Sequence, residues 1–178
     1  MVKYKYMFLS PVQIIENLDL KIGDTVADFG CGAGAYVFAA SKKVGDKGKV
    51  YAVDLDENIL DKINRETEKA NIINIDTILS NVEEKVQIKD TSCDLIILSN
   101  VLSEVDNLDR VLEETERVLK PDGRILVADW KKTEHSLSLL RPNLLDEEKI
   151  VAVLAKHNFS VKKHLPAGEY HYAFLAER

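Results

Sequence analysis

Residues 26–34 read Val-Ala-Asp-Phe-Gly-Cys-Gly-Ala-Gly, and this stretch decides the fold of the chain. A short apolar run followed by alternating glycines predicts a buried strand, a tight turn and the start of a helix. That unit is how α/β proteins build nucleoside sites. Glycine has no Cβ, so Gly30, Gly32 and Gly34 can take positive φ angles and let a ligand lie against bare backbone. The N–H groups that open the following helix would face a negative group of such a ligand.

A second apolar run, residues 49–53, ends in Asp54. In a nucleoside site the strand after the glycine turn presents a carboxylate, which can accept hydrogen bonds from both ribose hydroxyls. Leu55 follows and could pack against a base. The alternative is that Asp54 is a solvated acid of the kind that often ends a strand.

The rest of the chain alternates between strand and helix patterns. Strands are predicted at residues 25–29, 49–53, 75–79, 95–98, 124–130, 159–165 and 170–176, and helices from residue 11, at 35–44, 57–70, 106–119 and 145–156. This alternation predicts an α/β fold with a doubly wound, mostly parallel, seven-stranded sheet. The link at residues 166–168 is too short for a helical crossover, so the last strand should be antiparallel. We expect a single domain over residues 1–178, in which residues 1–20 form an N-terminal segment and helix that could cover a ligand.

Composition and charge exclude several functions. The chain has 178 residues and a net charge of −6 at pH 7, which argues against a nucleic-acid groove. Two cysteines make no disulfide framework, and the four histidines show no metal-ligand spacing, so no metal is expected. No apolar stretch is long enough to cross a bilayer, and the N-terminus does not read as a secretory signal. A cytoplasmic location follows as the expectation.

Five segments in order resemble the class I S-adenosylmethionine-dependent methyltransferases, over roughly residues 11–176. They are the acidic residue and glycines at 28–34, the acid Asp54, Ser80-Asn81-Val82, the fourth-strand segment at 92–102 and the turn at 119–124. Within that family, the chain most resembles the methyltransferases that act on small molecules and in quinone biosynthesis. The resemblance implies a Rossmann-like fold that binds S-adenosylmethionine and releases S-adenosylhomocysteine.

The resemblance also implies which residues hold the cofactor. Asp28 would help to hold the methionine amino end, and Asp54 would bind the ribose. The family usually has an acid at the adenine position, whereas this chain has Asn81, whose side-chain oxygen can still accept from the adenine amino group. The full predicted set is Asp28, Gly30, Cys31, Gly32, Gly34, Asp54, Leu55, Asn81, Val82 and Ser99.

The acceptor side is less defined, and no catalytic residue is assigned. Asn100 and Ser103 could face an acceptor or could cap the loop after the fourth strand. Trp130 could line the acceptor pocket, although a core position is favoured. The candidate bases are Glu104, Asp129 and His135, and the aromatic residues that could cover the cofactor are Tyr4, Tyr6 and Phe8.

The sequence therefore predicts a methyltransferase with a small-molecule acceptor and no membrane partner. Two alternatives stay open. Residues 30–35 also satisfy the dinucleotide pattern G-x-G-x-x-A, which would suit a small NAD-dependent reductase. The absent acid at position 81 would suit a non-catalytic module that binds the cofactor or a partner. A homodimer that completes a shallow pocket is also left open.

Overall fold

The computed structural model describes residues 9–132 and 144–178. The helices are α1 (Pro11–Glu16), α2 (Ala35–Val44), α3 (Glu57–Ala70), α4 (Leu108–Val118) and α5 (Glu147–Lys156). The strands are β1 (Thr25–Phe29), β2 (Lys49–Asp54), β3 (Ile75–Leu79), β4 (Cys93–Ser99), β5 (Leu119–Trp130), β6 (Ser160–His164) and β7 (His171–Glu177).

A seven-stranded sheet carries the fold, in the order β3-β2-β1-β4-β5-β7-β6. Strands β1 to β5 pair in parallel, and β7 runs antiparallel to both β5 and β6. The predicted mostly parallel sheet with an antiparallel last strand is confirmed. The strand order reverses between β1 and β4, and open α/β sheets bind ligands at the carboxyl ends of strands at such a point.

Side chains of the central strands pack on both faces of the sheet. Along β4, Leu95 and Ile97 belong to one buried cluster, whereas Ile96 and Leu98 belong to the other. All of these side chains are fully buried. Continuous apolar runs in the sequence therefore mark strands that helices cover on both sides.

Local capping explains where the helices begin. Pro11 opens α1 behind Ser10, whose side chain accepts from the Gln13 amide. Asp56 caps α3 in the same way, with its carboxylate accepting from the Asn58 amide at 2.9 Å.

Two details of the sequence prediction are wrong. Strand β5 begins at Leu119, whereas the predicted strand begins at residue 124, after a turn. Cys93 pairs with Leu119 and Leu95 with Arg124, so the residues between bulge out of the ladder instead of preceding it. The spacing of Val12, Ile15 and Leu18 predicts one apolar face for α1, but Val12 is 53% exposed, since this short helix buries Ile14 and Ile15 instead. The other predicted boundaries agree within two residues.

Candidate functional site

A cleft of about 640 Å³ lies along the carboxyl edge of the parallel strands. Nine of the ten residues predicted to hold a cofactor line it: Asp28, Gly30, Cys31, Gly32, Asp54, Leu55, Asn81, Val82 and Ser99. Its volume lies within the usual range for small-molecule and cofactor sites. The structure thus brings together residues from four strands that are far apart in sequence.

Gly34 is the exception, because it is the N-cap of α2 and does not line the cleft. It has a φ of 79°, and a Cβ there would lie 3.0 Å from Phe38 Cε2 and 3.3 Å from the side chain of Ile63. The glycine at this position lets α2 start close to α3. We therefore leave Gly34 out of the set proposed to contact the cofactor.

Three amides of the loop before α2 are already bound by the protein. The amides of Gly30 and Cys31 both donate to the carbonyl of Val53 at 2.9 Å, and the Gly32 amide donates to Asp54 Oδ2 at 2.9 Å. A pyrophosphate needs free amides at this loop. The arrangement therefore does not favour the dinucleotide interpretation.

Asp54 is oriented by two backbone amides at the end of β2. Oδ2 accepts from Gly32, and Oδ1 accepts from Asp56 at 3.0 Å. Each carboxylate oxygen has a second lone pair that can accept from a ligand hydroxyl. Beside it Leu55 is 69% exposed, an apolar side chain at the cleft that packing within the protein does not explain.

Asp28 lies buried at the floor of the cleft, only 1% exposed. Its Oδ1 has no hydrogen-bond partner among the described residues. Burial, and secondly the nearby Asp54 carboxylate, raise the pKa of Asp28 to about 8. A buried carboxyl group with an unused acceptor is costly by itself, and a cationic donor from a ligand would relieve that cost.

Cys31 is buried and lines the cleft, with its Sγ 4.0 Å from Asp54 Oδ2. Burial raises the pKa of the thiol far above its usual range, and the charges of Asp28 and Asp54 raise it further. The group is therefore a neutral thiol at physiological pH. Cys31 is therefore a small residue of the loop and not a reactive thiolate.

Asn81 and Val82 form the cleft wall after β3. Asn81 Oδ1 accepts from the Glu83 amide at 2.9 Å, which closes an Asx turn and holds the side chain in place. An amide oxygen accepts two hydrogen bonds, so one position remains for a ligand donor. The Val82 side chain is 6% exposed and belongs to the core.

Asn100 follows β4 in the left-handed conformation, with a φ of 55°. Its amide donates to the carbonyl of Ala128 at 2.8 Å, whereas its buried Oδ1 has no hydrogen bond from any residue that the structure describes, and the residue lines the cleft. Non-glycine residues held in this conformation cluster at functional sites. The structure thus places Asn100 at the cleft, as one of the two sequence interpretations held.

The prediction of a core position for Trp130 is wrong. This residue is half-buried and lines the cleft, because β5 ends at the same edge of the sheet as β1 and β4. Asp129 and Ser103 do not line the cleft; Asp129 is 1% exposed, with Oδ1 accepting from the Trp130 amide and Oδ2 from Ser103 Oγ. Glu104 does line it. The candidate base His135 and the aromatic residues Tyr4, Tyr6 and Phe8 lie outside the described residues.

Sequence reasoning missed His171 as a site residue. It is 5% exposed, lines the cleft and lies against Trp130, with 4.0 Å between the ring centroids. His171 opens β7 and pairs in register with Trp130. The predicted antiparallel last strand could have indicated this position. A strand antiparallel to β5 starts where β5 ends, which is the edge of the sheet where ligands bind.

The charge of the cleft is one-sided. Its described lining contains the acidic side chains of Asp28, Asp54, Glu83 and Glu104 and neither a lysine nor an arginine. Such a lining attracts cationic groups and repels phosphates. The chemistry that fits is a nucleoside ligand with positive charge.

Comparison with known proteins agrees with this geometry. Residues 20–172 match the protein family described as "Methyltransferase domain". A solved SAM-dependent methyltransferase from Aquifex aeolicus is 30% identical and superposes with a TM-score of 0.86, covering 95% of this chain and 89% of that one.

Among curated relatives, a ubiquinone/menaquinone biosynthesis C-methyltransferase from Hydrogenovibrio crunogenus is 34% identical over 125 residues, which is 69% of this chain and 48% of the relative. An arsenite methyltransferase from Halobacterium salinarum is 32% identical over 111 residues, 62% of this chain and 28% of the relative. The chain thus spans half or less of the length of these two curated relatives.

Within the described ranges, no helix combines the length and the apolar character that a membrane span requires.

Proposed function

The chain belongs to the S-adenosylmethionine-dependent methyltransferase family, and we propose that it transfers a methyl group from S-adenosylmethionine to a small-molecule acceptor. The observation that carries the proposal is the acidic cleft over the glycine loop, with Asp54 presented at its rim and Asp28 buried at its floor. The names of the two curated relatives refer to small molecules, a quinone and arsenite, and this supports a small-molecule acceptor.

The nucleoside end of the cofactor would lie over β2 and β3. Asp54 would accept from the ribose hydroxyls with the lone pairs that Gly32 and Asp56 leave free. The exposed side chain of Leu55 would lose its contact with water against the adenine ring. Asn81 would accept from the adenine amino group at its remaining acceptor position.

The methionine end would lie over β1 and β4. Asp28 offers an unused carboxyl oxygen to the α-ammonium group, which would also favour the ionised form of this acid. The sulfonium charge fits a lining of four carboxylates. Ser99 ends β4 and lines the same cleft.

The reaction needs little acid–base catalysis from the protein, since the bound cofactor supplies a methyl group that is already activated by the sulfonium. The residues of the cleft would align the acceptor with the methyl carbon and the sulfur and would exclude water. Alignment alone contributes several kcal/mol, about 7–11 in model reactions. For an oxygen or nitrogen acceptor, Glu104 is placed at the cleft where it could take a proton.

Calorimetric titration with S-adenosylhomocysteine tests the proposal. We expect binding by the wild type and at least tenfold weaker binding by Asp54→Ala, which corresponds to about 1.4 kcal/mol. Asp61→Ala is the matched control, because this exposed acid of α3 lies outside the cleft and its ion-pair contact with Arg65 spans 3.9 Å. No heat with the wild type at high protein concentration would refute the proposal, and unchanged affinity of Asp54→Ala would remove that residue from the site.

We also propose a single methyltransferase domain over residues 1–178 and a cytoplasmic location. The domain assignment is supported by one sheet that includes strands from both ends of the described chain, and the location by two cysteines that are both free and buried. Leu9 and Pro11 line the cleft, which supports a covering role for the N-terminal segment. The acidic lining argues against nucleic acid as the acceptor. The homodimer stays a prediction.

A further inference from the structure

Two loops that line the cleft are joined by one glutamate side chain. The loop after β3 lines the cleft with residues 80–83, and the loop between β4 and α4 lines it with Asn100 and Glu104, among others. Because β2 and β1 lie between β3 and β4 in the sheet, the ends of β3 and β4 are roughly 14 Å apart at a strand spacing of about 4.8 Å. Glu83 Oε1 nevertheless accepts from the backbone amide of Asn107 at 2.6 Å, directly before α4.

This bond completes the cap of α4. Asn107 is the N-cap of the helix, and its side chain accepts from the Arg110 amide at 3.2 Å. In a capping box, a glutamate three residues after the N-cap accepts from the backbone amide of the N-cap residue. Arg110 occupies that position here, and Glu83, 24 residues before Asn107, provides the carboxylate instead. Since a carboxylate is also favoured near the positive end of a helix, charge strengthens this hydrogen bond.

Glu83 also orients Asn81 through its backbone. The Glu83 amide donates to Asn81 Oδ1 at 2.9 Å. A flipped Asn81 side chain would place its NH₂ group against this N–H, and two donors do not form a hydrogen bond. The Asn81 oxygen therefore keeps one orientation while Glu83 stays in place, and the bond to Asn107 holds Glu83 there.

The remainder of the loop has anchors of its own. The Val86 amide donates to Glu114 Oε1 at 2.7 Å, and the Arg117 guanidinium donates to the carbonyls of Val86 and Ile88, both at 2.9 Å. None of these contacts involves Glu83. Loss of the Glu83 side chain thus leaves the loop attached to α4 from Val86 onward and frees the part that carries Asn81.

We propose that Glu83 is a positioning residue for base recognition: by holding Asn81 from the start of α4, it makes the cleft select a purine with an amino group at C6. This inference rests on the proposed function, which places the adenine beside Asn81. A fixed oxygen accepts from an amino donor and gains no hydrogen bond from a purine that lacks one. Glu83 acts on the ligand through Asn81.

Calorimetric titration with two nucleosides tests the inference. Adenosine carries an amino group at C6, whereas purine riboside has a hydrogen there and shares the ribose and the ring system. We expect the wild type to bind adenosine roughly three- to tenfold more tightly, the range that one hydrogen bond gives. In Glu83→Ala the preference should fall below about twofold, because adenosine binds more weakly while the affinity for purine riboside stays within about twofold of the wild type.

Two further variants separate the hydrogen bond from the charge. Glu83→Gln keeps an oxygen that accepts from the Asn107 amide, so it should retain most of the preference for adenosine. Glu84→Ala removes the same charge from the next residue, which is exposed and outside the described lining of the cleft, and it should behave like the wild type.

Several outcomes would contradict the role of Glu83. A loss of preference in Glu83→Gln as large as in Glu83→Ala would overturn the bridge to Asn107, since the charge and not the hydrogen bond would then be the cause. Equal weakening of both nucleosides in Glu83→Ala would show general damage to the cleft. A preference retained in Glu83→Ala, or a wild type that binds both nucleosides alike or neither, would overturn the inference as a whole.

Titration with S-adenosylhomocysteine separates this inference from the function on which it rests. If the wild type shows the preference that depends on Glu83 but binds S-adenosylhomocysteine no more tightly than adenosine, the methyl-donor site is wrong and the role of Glu83 in base recognition remains. If S-adenosylhomocysteine binds tightly and the preference for adenosine does not depend on Glu83, the proposed function remains and this inference is wrong.

Discussion

Asp28 combines deep burial, an unused acceptor and a pKa of about 8, which makes its ionisation sensitive to the ligand. Without ligand the acid is mostly protonated at pH 6, whereas an ammonium group binds the ionised form. Binding must then release a proton, so affinity for S-adenosylhomocysteine should rise with pH, by up to roughly tenfold per unit below pH 8. Calorimetry at pH 6, 7 and 8 measures this. Asp28→Asn should bind weakly with a flat profile; a flat profile in the wild type would contradict the role of Asp28.

The same acid should make the unliganded protein less stable as the pH rises. Its pKa is raised in the folded state, so the folded protein binds the extra proton between about pH 4 and 8, and stability falls across that window. Asp28→Asn carries no such charge. We expect the variant to gain on the wild type as the pH rises, with a larger difference in melting temperature at pH 8 than at pH 5. Asp61→Asn, at an exposed acid, should show no such divergence.

Substitutions of two glycines of the loop should separate an effect on folding stability from an effect on cofactor binding. A Cβ at Gly30 would lie 2.8 Å from Val101 Cγ2, whereas a Cβ at Gly32 would meet no atom within 4 Å, although both residues have positive φ angles. Gly30→Ala should cost roughly 2–4 kcal/mol of unfolding free energy, from the backbone and the clash together. Gly32→Ala should cost only about 1–2 kcal/mol.

Because the new methyl of Gly32→Ala would occupy the cleft itself, we expect this variant to lose at least tenfold in affinity for S-adenosylhomocysteine. Urea unfolding and calorimetry measure the two effects. Equal unfolding free energies for the two variants, or wild-type affinity in Gly32→Ala, would contradict this division of roles.

At the scale of elements, a histidine joins α4 to the end of α5. His157 Nδ1 lies 2.8 Å from Glu116 and its Nε2 lies 3.1 Å from Asp109. Burial alone would lower the pKa of His157, but the hydrogen bonds and charges of Asp109 and Glu116 outweigh it and raise the pKa. A raised pKa stabilises the fold below the unfolded value of 6.5, and this contribution is lost as the pH rises through the folded value.

His157→Gln should therefore lower the melting temperature more at pH 6 than at pH 8.5. His164→Gln is the matched control: its Nε2 is 2.7 Å from Glu147, but the side chain is 66% exposed, and such surface pairs contribute little. A loss for His157→Gln that does not change with pH would show that the contact acts through packing alone.

Elements differ in how well the sequence predicts them, and the difference is physical. The helix from Ala35 to Val44 follows from the glycine turn, its apolar spacing and Gly45 behind it, all of which are local signals. The start of β5 depends on the pairing of Leu119 with Cys93, which is distant in sequence. The local dipeptide Pro121-Asp122 instead predicts a turn, so the sequence places the start of the strand too late. Likewise, Trp130 and His171 meet only because β7 returns beside β5, so no local pattern marks them as neighbours.

At the scale of the whole molecule, the order of the strands brings several acidic residues together at the carboxyl edge of the sheet. We expect this edge to favour cationic ligands over anionic ones. Asp54, Asp28 and Glu104 come from or follow β2, β1 and β4, which are adjacent strands. The glycine loop resembles that of dinucleotide sites, yet three of its amides are bound by Val53 and Asp54. A pyrophosphate would therefore meet nearby carboxylates and could not bind these three amides without breaking their bonds.

Thermal shift should expose this selection in the intact protein. S-adenosylhomocysteine at 100 times its Kd should stabilise the protein by about 2.7 kcal/mol, which raises the Tm by roughly 5–10 °C for a chain of this size. NAD at the same concentration should leave the Tm unchanged within error. Asp54→Ala should lose most of the shift at that fixed concentration, because its weaker binding lowers the ratio of ligand to Kd, while Asp61→Ala should keep it. A shift with NAD that equals or exceeds the one with S-adenosylhomocysteine would mean that the acids do not govern which nucleotide the cleft accepts.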